Sequence, residues 1–166
     1  MRQISRIFVH CTASWQSNTT VESLLKEFRQ NGWKNPGYHY VVFPGGKIEQ
    51  MLDEAKIANG VKNYNSNSIH VAWVGGIKYE KQDPSTTLKT SKPKIVSVDN
   101  RTDAQKLALF DLLTKLKLKY RSAMIMGHRD ISPDLNHNGV IDPWERIKDC
   151  PCFDAMIEYM DINKIT

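Results

Sequence analysis

Cysteine is scarce in this chain of 166 residues, and its three copies, Cys11, Cys150 and Cys152, make an odd number. An odd count is a poor disulfide framework and argues against a small scaffold held together by bridges. A bridge between Cys150 and Cys152 would close a very small, strained ring. A bridge from Cys11 to either of the others stays open for an oxidising setting, but metal thiolates suit this set of cysteines better.

Long apolar runs are also missing from the sequence. No stretch approaches the ~20 apolar residues needed to cross a bilayer, so we expect no membrane insertion. The N-terminus carries Arg2 and Arg6 without a long apolar segment behind them. We therefore expect no signal peptide and a protein that is cytoplasmic when made.

The remaining composition is that of an ordinary globular protein, with 40% hydrophobic and 25% charged residues. The length favours one domain with a sizeable core. The net charge of +5 suits an anionic polymer as a partner, nucleic acid included, although solubility alone would also explain it.

Apolar periodicity predicts how the chain is organised. Strands are expected at 4–10, 37–43, 47–50, 68–74 and 122–126, and helices at 21–30, 104–119 and 153–160. Residues 78–100, rich in Lys, Ser, Thr and Pro, predict a long surface loop with a short strand at 94–98. Because strands and helices interleave, we expect a single α/β domain over 1–166, with a central mixed β-sheet flanked by helices.

Two helices carry more detailed signals. Capping boxes are expected at Thr19 with Glu22 and at Thr102 with Gln105. The buried face of the second helix is expected to consist of Leu107, Phe110, Leu113 and Leu116.

Two distant segments resemble the halves of one metal site. His10 and His128 each end an apolar strand, and Cys150 precedes Pro151, which favours an extended backbone. In an extended segment Lys148 and Cys150 point to the same side, which puts an ammonium beside a metal thiolate. Histidine and cysteine are zinc ligands, and three of them with an open fourth position would make a catalytic site.

The sequence resembles the type 2 N-acetylmuramoyl-L-alanine amidases, a zinc-dependent family that includes phage lysozyme-amidases and peptidoglycan recognition proteins. The segments that carry the resemblance are F-V-H-C-T-A-S from Phe8, G-Y-H-Y from Gly37, N-S-N-S-I from Asn65, V-G-G-I from Val74, G-H-R-D-I-S-P from Gly127 and K-D-C-P-C-F-D from Lys148. The resemblance implies that the zinc ligands are His10, His128 and Cys150, and that Tyr38 and Lys148 are the catalytic side chains. Cys150 is preferred to Cys152 because the ligand of this family stands immediately before the proline.

The implied reaction is hydrolysis of the amide between the lactyl group of N-acetylmuramic acid and the first L-Ala of the stem peptide. Zinc would lower the pKa of its water toward ~7, and Lys148 would help to stabilise the oxyanion. Tyr38 would orient the water or the substrate. The proton for the leaving amine has three open sources: Lys148, Tyr38 or a water at the metal.

The chain departs from the family pattern at two positions. Gly60 stands where related amidases often have a histidine near the pocket, so one contact is missing or supplied from elsewhere. His70 stands where the family commonly has a small residue, and is read as a solvent or core histidine. His39 is expected to be structural.

A second metal motif spans 134–145 and matches the twelve-residue calcium loop. The expected oxygen ligands of this insertion are Asp134, Asn136, Asn138, Val140 through its carbonyl, Asp142 and Glu145. Ca²⁺ would order the segment between His128 and Cys150. The alternative is an Asx-rich turn without an ion.

Taken together, the sequence predicts a zinc-dependent peptidoglycan amidase of the phage or prophage lysin type. It would be monomeric and would reach the cell wall after release or non-classical export. The main alternative is a non-catalytic peptidoglycan-binding module of the same fold; retention of Cys150 and Lys148 argues against it. A nucleic-acid-binding regulator is suggested only by the basic charge, and a cysteine hydrolase using Cys11 and His10 is disfavoured because adjacent strand residues point apart.

Overall fold

The fold is built on a five-stranded mixed sheet, in a computed structural model that describes residues 2–80 and 93–166. The strands are β1 (Arg6–Cys11), β2 (Tyr40–Val42), β3 (Ile48–Gln50), β4 (Ser68–Trp73), β5 (Ile77–Tyr79), β6 (Ile95–Ser97) and β7 (Met124–Gly127). The main sheet has the order β3-β2-β4-β1-β7, in which only the β2–β3 pair is antiparallel. This α/β arrangement confirms the expected fold class.

In the described residues, four α-helices flank the sheet: α1 (Val21–Gln30), α2 (Asp103–Lys119), α3 (Ala155–Glu158) and α4 (Met160–Asn163). Short 3-10 turns occupy Asn65–Asn67, His128–Ile131 and Pro143–Glu145. No helix in the described part of the chain is long and apolar enough to cross a membrane.

The alternation of side chains along β1 divides the core into two layers. Ile7, Val9 and Cys11 lie on the side of the sheet covered by α2, in a large apolar cluster with Trp73 and Leu113. Leu24 and Phe28 of α1 cover the other side in a smaller cluster. Because successive side chains of a strand point to opposite faces, His10 is directed toward the α1 side.

The expected buried face of α2 is wrong for half of its residues. Leu113 and Leu116 are buried, but Leu107 is 70% exposed and Phe110 is 51% exposed. This helix carries apolar residues around most of its circumference, so the sequence pattern did not fix its rotation. Leu109 and Leu112 occupy the interior instead.

The capping box of α1 is also shifted from the expected pair. Thr20 and Ser23 cap the helix reciprocally, whereas the hydroxyl of Thr19 donates to the carbonyl of Trp15. Since Ser23 can accept from a backbone N–H as Glu22 can, the two registers were equivalent on the sequence. The expected box of Thr102 and Gln105 is confirmed.

The expectations for the other elements need smaller corrections. The short strand expected at 94–98 is confirmed as β6, but it pairs with β5 as an antiparallel ribbon, so 78–100 is not simply a long loop. Residues 81–92 lie outside the described part of the chain. The strand expected at 37–43 is restricted to Tyr40–Val42, so Tyr38 precedes it. The last helix forms two short pieces rather than one.

Candidate active site

The candidate metal ligands meet at one edge of the sheet. His10 lies near the end of β1, and His128 directly follows its parallel neighbour β7. The carboxyl ends of parallel strands share an edge of the sheet, which brings the two imidazoles together. Their ring centroids are 5.1 Å apart and the rings are nearly perpendicular.

The chain after the second of these strands adds Cys150 to the same point. The backbone N–H of Arg129 donates to the carbonyl of Cys150 at 2.8 Å. The backbone N–H of Cys11 donates to the sulfur of Cys150 at 3.3 Å. These two hydrogen bonds fix the position of Cys150 beside the two imidazoles.

The three candidate ligands lie close enough together to share one metal ion. One donor atom from each of His10, His128 and Cys150 lies within 4.8 Å of the others, and no second such cluster of His, Cys, Asp or Glu occurs in residues 2–80 and 93–166. His10 Nδ1 lies 3.6 Å from Cys150 Sγ. Zinc bonds of about 2.05 Å to nitrogen and 2.3 Å to sulfur at a tetrahedral angle put these two atoms about 3.6 Å apart. The three side chains therefore could hold zinc.

The electrostatic environment keeps both imidazoles neutral. Burial lowers the pKa of His10 well below its usual value, and His70, His128 and Lys148 add to the effect. Burial and the charge of Lys148 lower the pKa of His128 to about 4. A neutral imidazole has the free lone pair that a metal ligand needs, so neither histidine has to lose a proton at neutral pH.

The other two cysteines lie beside the cluster and not in it. All three cysteines are free, and Cys11 Sγ lies 3.5 Å from Cys152 Sγ. The pKa of Cys11 is raised to about 12, first by its hydrogen bond with Cys150 and also by burial. Cys11 packs on the α2 side of the sheet while His10 faces the other side, which agrees with the argument against a cysteine nucleophile.

Tyr38 and Lys148 line the same cleft as the three candidate ligands. This cleft has a volume of about 590 Å³ and is also lined by Phe28 and Trp33. Burial raises the pKa of Tyr38, which therefore stays protonated, and its ring centroid lies 5.3 Å from that of His10. Lys148 is exposed, and its charge reaches both histidines.

The cleft continues into a second lobe of about 610 Å³, in which Lys62, Asn63, Tyr64, Ile131 and Ile147 supply part of the wall. Trp33, Gly60, His128 and Lys148 border both lobes. The candidate ligands thus lie along an extended groove open enough for a polymeric substrate.

Two further histidines lie behind the site, and sequence reasoning missed the role of one of them. His39 and His70 are fully buried. The Nδ1 atom of His70 lies 3.1 Å from Nε2 of His10, so His70 contacts a candidate ligand directly. A Cβ atom at Gly60 would lie 2.3 Å from the same Nδ1 atom. The available sequence signal was that Gly60 and His70 both depart from the family pattern.

Carboxylates of the calcium-like loop accept hydrogen bonds from backbone N–H groups of the same loop. Glu145 is buried, with one oxygen accepting from the N–H groups of Leu135 and Asn136 and the other from that of Asp142. Asp134 accepts from the N–H groups of Asn138 and Gly139. The carboxylates satisfy donors of the loop and form no cluster like that of the candidate zinc ligands. The structure gives the calcium prediction no support.

Comparison with solved structures identifies the fold. The chain is similar to the N-acetylmuramoyl-L-alanine amidase LysC from Clostridium intestinale, with a TM-score of 0.67 and 19% identity over 97% of this chain and 86% of that one. It is also similar to a Drosophila PGRP-LB mutant in complex with tracheal cytotoxin, with a TM-score of 0.61 and 16% identity over 100% of this chain and 85% of that one. The fold is the one shared by peptidoglycan amidases and peptidoglycan recognition proteins.

Sequence comparison narrows the class to a family. The model of the N-acetylmuramoyl-L-alanine amidase family matches residues 1–151. The endolysin of Klebsiella phage KP32 is 34% identical over 157 residues, which are 92% of this chain and 83% of that protein. The chain belongs to the type 2 N-acetylmuramoyl-L-alanine amidase family, and its activity is that of a peptidoglycan amidase.

Proposed function

We propose that this amidase is zinc-dependent, with His10, His128 and Cys150 as ligands and Tyr38 and Lys148 as catalytic side chains. Its bond would be the amide between N-acetylmuramic acid and L-Ala. The observation that carries the proposal is the convergence of two neutral imidazoles and one sulfur, with a nitrogen–sulfur distance of 3.6 Å that suits a tetrahedral ion. All three proposed ligands and both proposed catalytic side chains line one groove.

Lys148 and Tyr38 would have different roles beside the metal. When bound, zinc lowers the pKa of a coordinated water to about 7 and polarises a carbonyl oxygen. The ammonium of Lys148, exposed in the wall of the cleft, stabilises negative charge that develops on the amide oxygen. Tyr38, kept protonated by its raised pKa, donates or accepts a hydrogen bond to hold the substrate in place.

We also propose that the protein is a lysin of the phage or prophage type, acting as a single domain and a monomer on the cell wall after release. The similarity to the phage KP32 endolysin supports this biological setting. The non-catalytic binding module is the less favoured function, because a groove used only for binding has no need of a cysteine ligand beside a lysine.

The direct test combines metal analysis with peptidoglycan hydrolysis in matched variants. Cys150→Ser should lose both bound zinc and dye release from labelled peptidoglycan. Cys152→Ser is the control and should keep both, because its sulfur pairs with Cys11 outside the cluster. The wild-type protein should contain about one zinc per chain, as a three-ligand catalytic site requires.

The products report which bond is cleaved. Cleavage at the proposed amide exposes the amino group of L-Ala and creates no new reducing end of the glycan. New alanine amines that appear only with zinc-loaded protein would support the proposal. Wild-type protein that releases muropeptides without zinc, or that binds peptidoglycan without cleaving it, would contradict it.

A further inference from the structure

We propose that His70 is a positioning residue for the metal site, holding His10 in the orientation and tautomer that present Nδ1 to zinc. This inference rests on the proposed zinc site. The two side chains belong to adjacent parallel strands, with Phe8 opposite His70 and His10 opposite Ala72 in the register. His10 Nε2 and His70 Nδ1 lie 3.1 Å apart, and both residues are buried.

The position of the sulfur decides which nitrogen of His10 faces the metal. Cys150 Sγ lies 3.6 Å from Nδ1 of His10, on the side of the ring opposite His70. A nitrogen that binds a metal carries no proton, so the proton of neutral His10 is on Nε2. That N–H donates to Nδ1 of His70, which is thereby the acceptor.

This assignment fixes the tautomer of His70 as well. Its single proton lies on Nε2, which is buried and has no hydrogen-bond partner within the described residues. A buried donor without a partner destabilises a protein, and such groups call for a specific explanation. Here the explanation is the hydrogen bond that Nδ1 of His70 accepts from His10. An apolar side chain in place of His70 would remove the unpaired donor, but it would leave Nε2 of His10 without an acceptor.

The surroundings of His70 prevent its ring from turning away. It is stacked between Phe8, with centroids 5.5 Å apart, and His39, with centroids 5.8 Å apart, at interplanar angles of 7° and 6°. The backbone N–H of His70 donates to Nδ1 of His39 at 3.0 Å, while Nε2 of His39 lies 3.1 Å from the carbonyl of Lys56. His39 therefore carries its proton on Nε2 and acts as a rigid backing for the ring.

The space for this ring depends on Gly60. A Cβ atom at that position would lie 2.3 Å from Nδ1, 2.6 Å from Cγ and 2.8 Å from Cε1 of His70. The backbone of Gly60 thus closes over the edge of the ring that accepts from His10. The ring, its stacking partners and the glycine form a preorganised support for one ligand, as partners of metal-bound histidines commonly do.

Three variants separate support of the ligand from stability of the sheet. His70→Leu removes the acceptor. His70→Asn restores one, because the amide oxygen of asparagine takes the place of Nδ1. Val71→Ala is the control: this buried neighbour in β4 points to the opposite face and does not contact His10.

Zinc affinity is the main measurement, taken by equilibrium competition with a chromophoric chelator on folded protein. We expect His70→Leu to raise the zinc dissociation constant 10–100-fold, the usual effect of losing such a partner, and His70→Asn to recover most of it. Val71→Ala should lower Tm and leave zinc affinity and the visible spectrum of the Co²⁺-substituted protein unchanged. Equal zinc affinity in His70→Leu and the wild type would overturn the inference, as would equal weakening by His70→Leu and His70→Asn.

A measurement on the wild type covers the case in which His70→Leu does not fold. In the zinc-loaded protein, ¹⁵N NMR of the histidine rings should find the proton of His10 and that of His70 both on Nε2. A proton on Nδ1 of His70 would refute the inference even if zinc binds to His10. A wild-type protein that binds no zinc would refute the proposed metal site itself, so the two failures are distinguishable.

Discussion

Metal-free protein should lose much of its stability between pH 7.5 and pH 5.5, because its buried histidines are neutral in the folded state. Burial lowers the pKa of His39 to about 4, that of His70 to about 3 and that of His128 to about 4. In the unfolded chain each imidazole titrates near 6.5. Below that pH the unfolded state binds more protons than the folded state, so the free energy of unfolding falls as the pH falls.

The size of the effect follows from the width of the pH interval. Because only the unfolded histidines bind protons between pH 7.5 and pH 5.5, each one shifts the folding equilibrium about tenfold toward the unfolded state. A tenfold shift corresponds to about 1.4 kcal/mol, so the three residues together lower the free energy of unfolding by about 4 kcal/mol. This is a large share of the 5–15 kcal/mol typical of a domain.

Urea unfolding of chelator-treated protein at pH 7.5, 6.5 and 5.5 measures the change. His39→Gln is the matched variant, because its amide can still donate to the carbonyl of Lys56 but cannot titrate. Its loss of stability over the same interval should be smaller by about 1.4 kcal/mol. A free energy of unfolding that is constant or rises on acidification would refute the assignment of neutral, buried imidazoles.

Further variants test other parts of the molecule. Lys148→Ala should reduce kcat by about 10²–10³-fold with zinc content unchanged, as expected when one charge-stabilising group is lost; equal loss in Lys62→Ala, from the second lobe, would contradict a specific role. Glu145→Gln should lower the free energy of unfolding by about 1–3 kcal/mol, with or without Ca²⁺, because its carboxylate accepts three backbone N–H groups. Arg101→Met should destabilise the protein by about 1.5–3 kcal/mol in thermal or urea unfolding, since the buried guanidinium pairs with Asp99 and Glu158; an unchanged Tm would refute that contribution.

The sequence was sufficient for the fold class and for naming five candidate zinc-site residues that the structure brings into one groove. His10 lies near the end of one apolar strand and His128 directly follows another, and the rule that parallel strands share their carboxyl edge brings such residues together. Strand alternation also separated His10 from Cys11 correctly. These inferences succeeded because each depends on one short local pattern and one general rule of sheet geometry.

The predictions that were wrong or missed depend on contacts between distant segments or on backbone groups. The rotation of α2 was wrong because Leu107 and Leu109 are equally apolar, and only packing against the sheet decides which is buried. The contact between His10 and His70 was missed because it joins two strands distant in sequence, and its space is set by a third segment at Gly60. The hydrogen bonds that fill the calcium-like loop depend on backbone donors that a ligand pattern does not record.

The close approach of Gly60 to the ring of His70 means that the two positions share one volume. A ring on the loop and a ring on the strand cannot be present together without displacing one of them. Substitutions at these two positions are therefore not independent, because a side chain in place of Gly60 fits only if a smaller residue replaces His70.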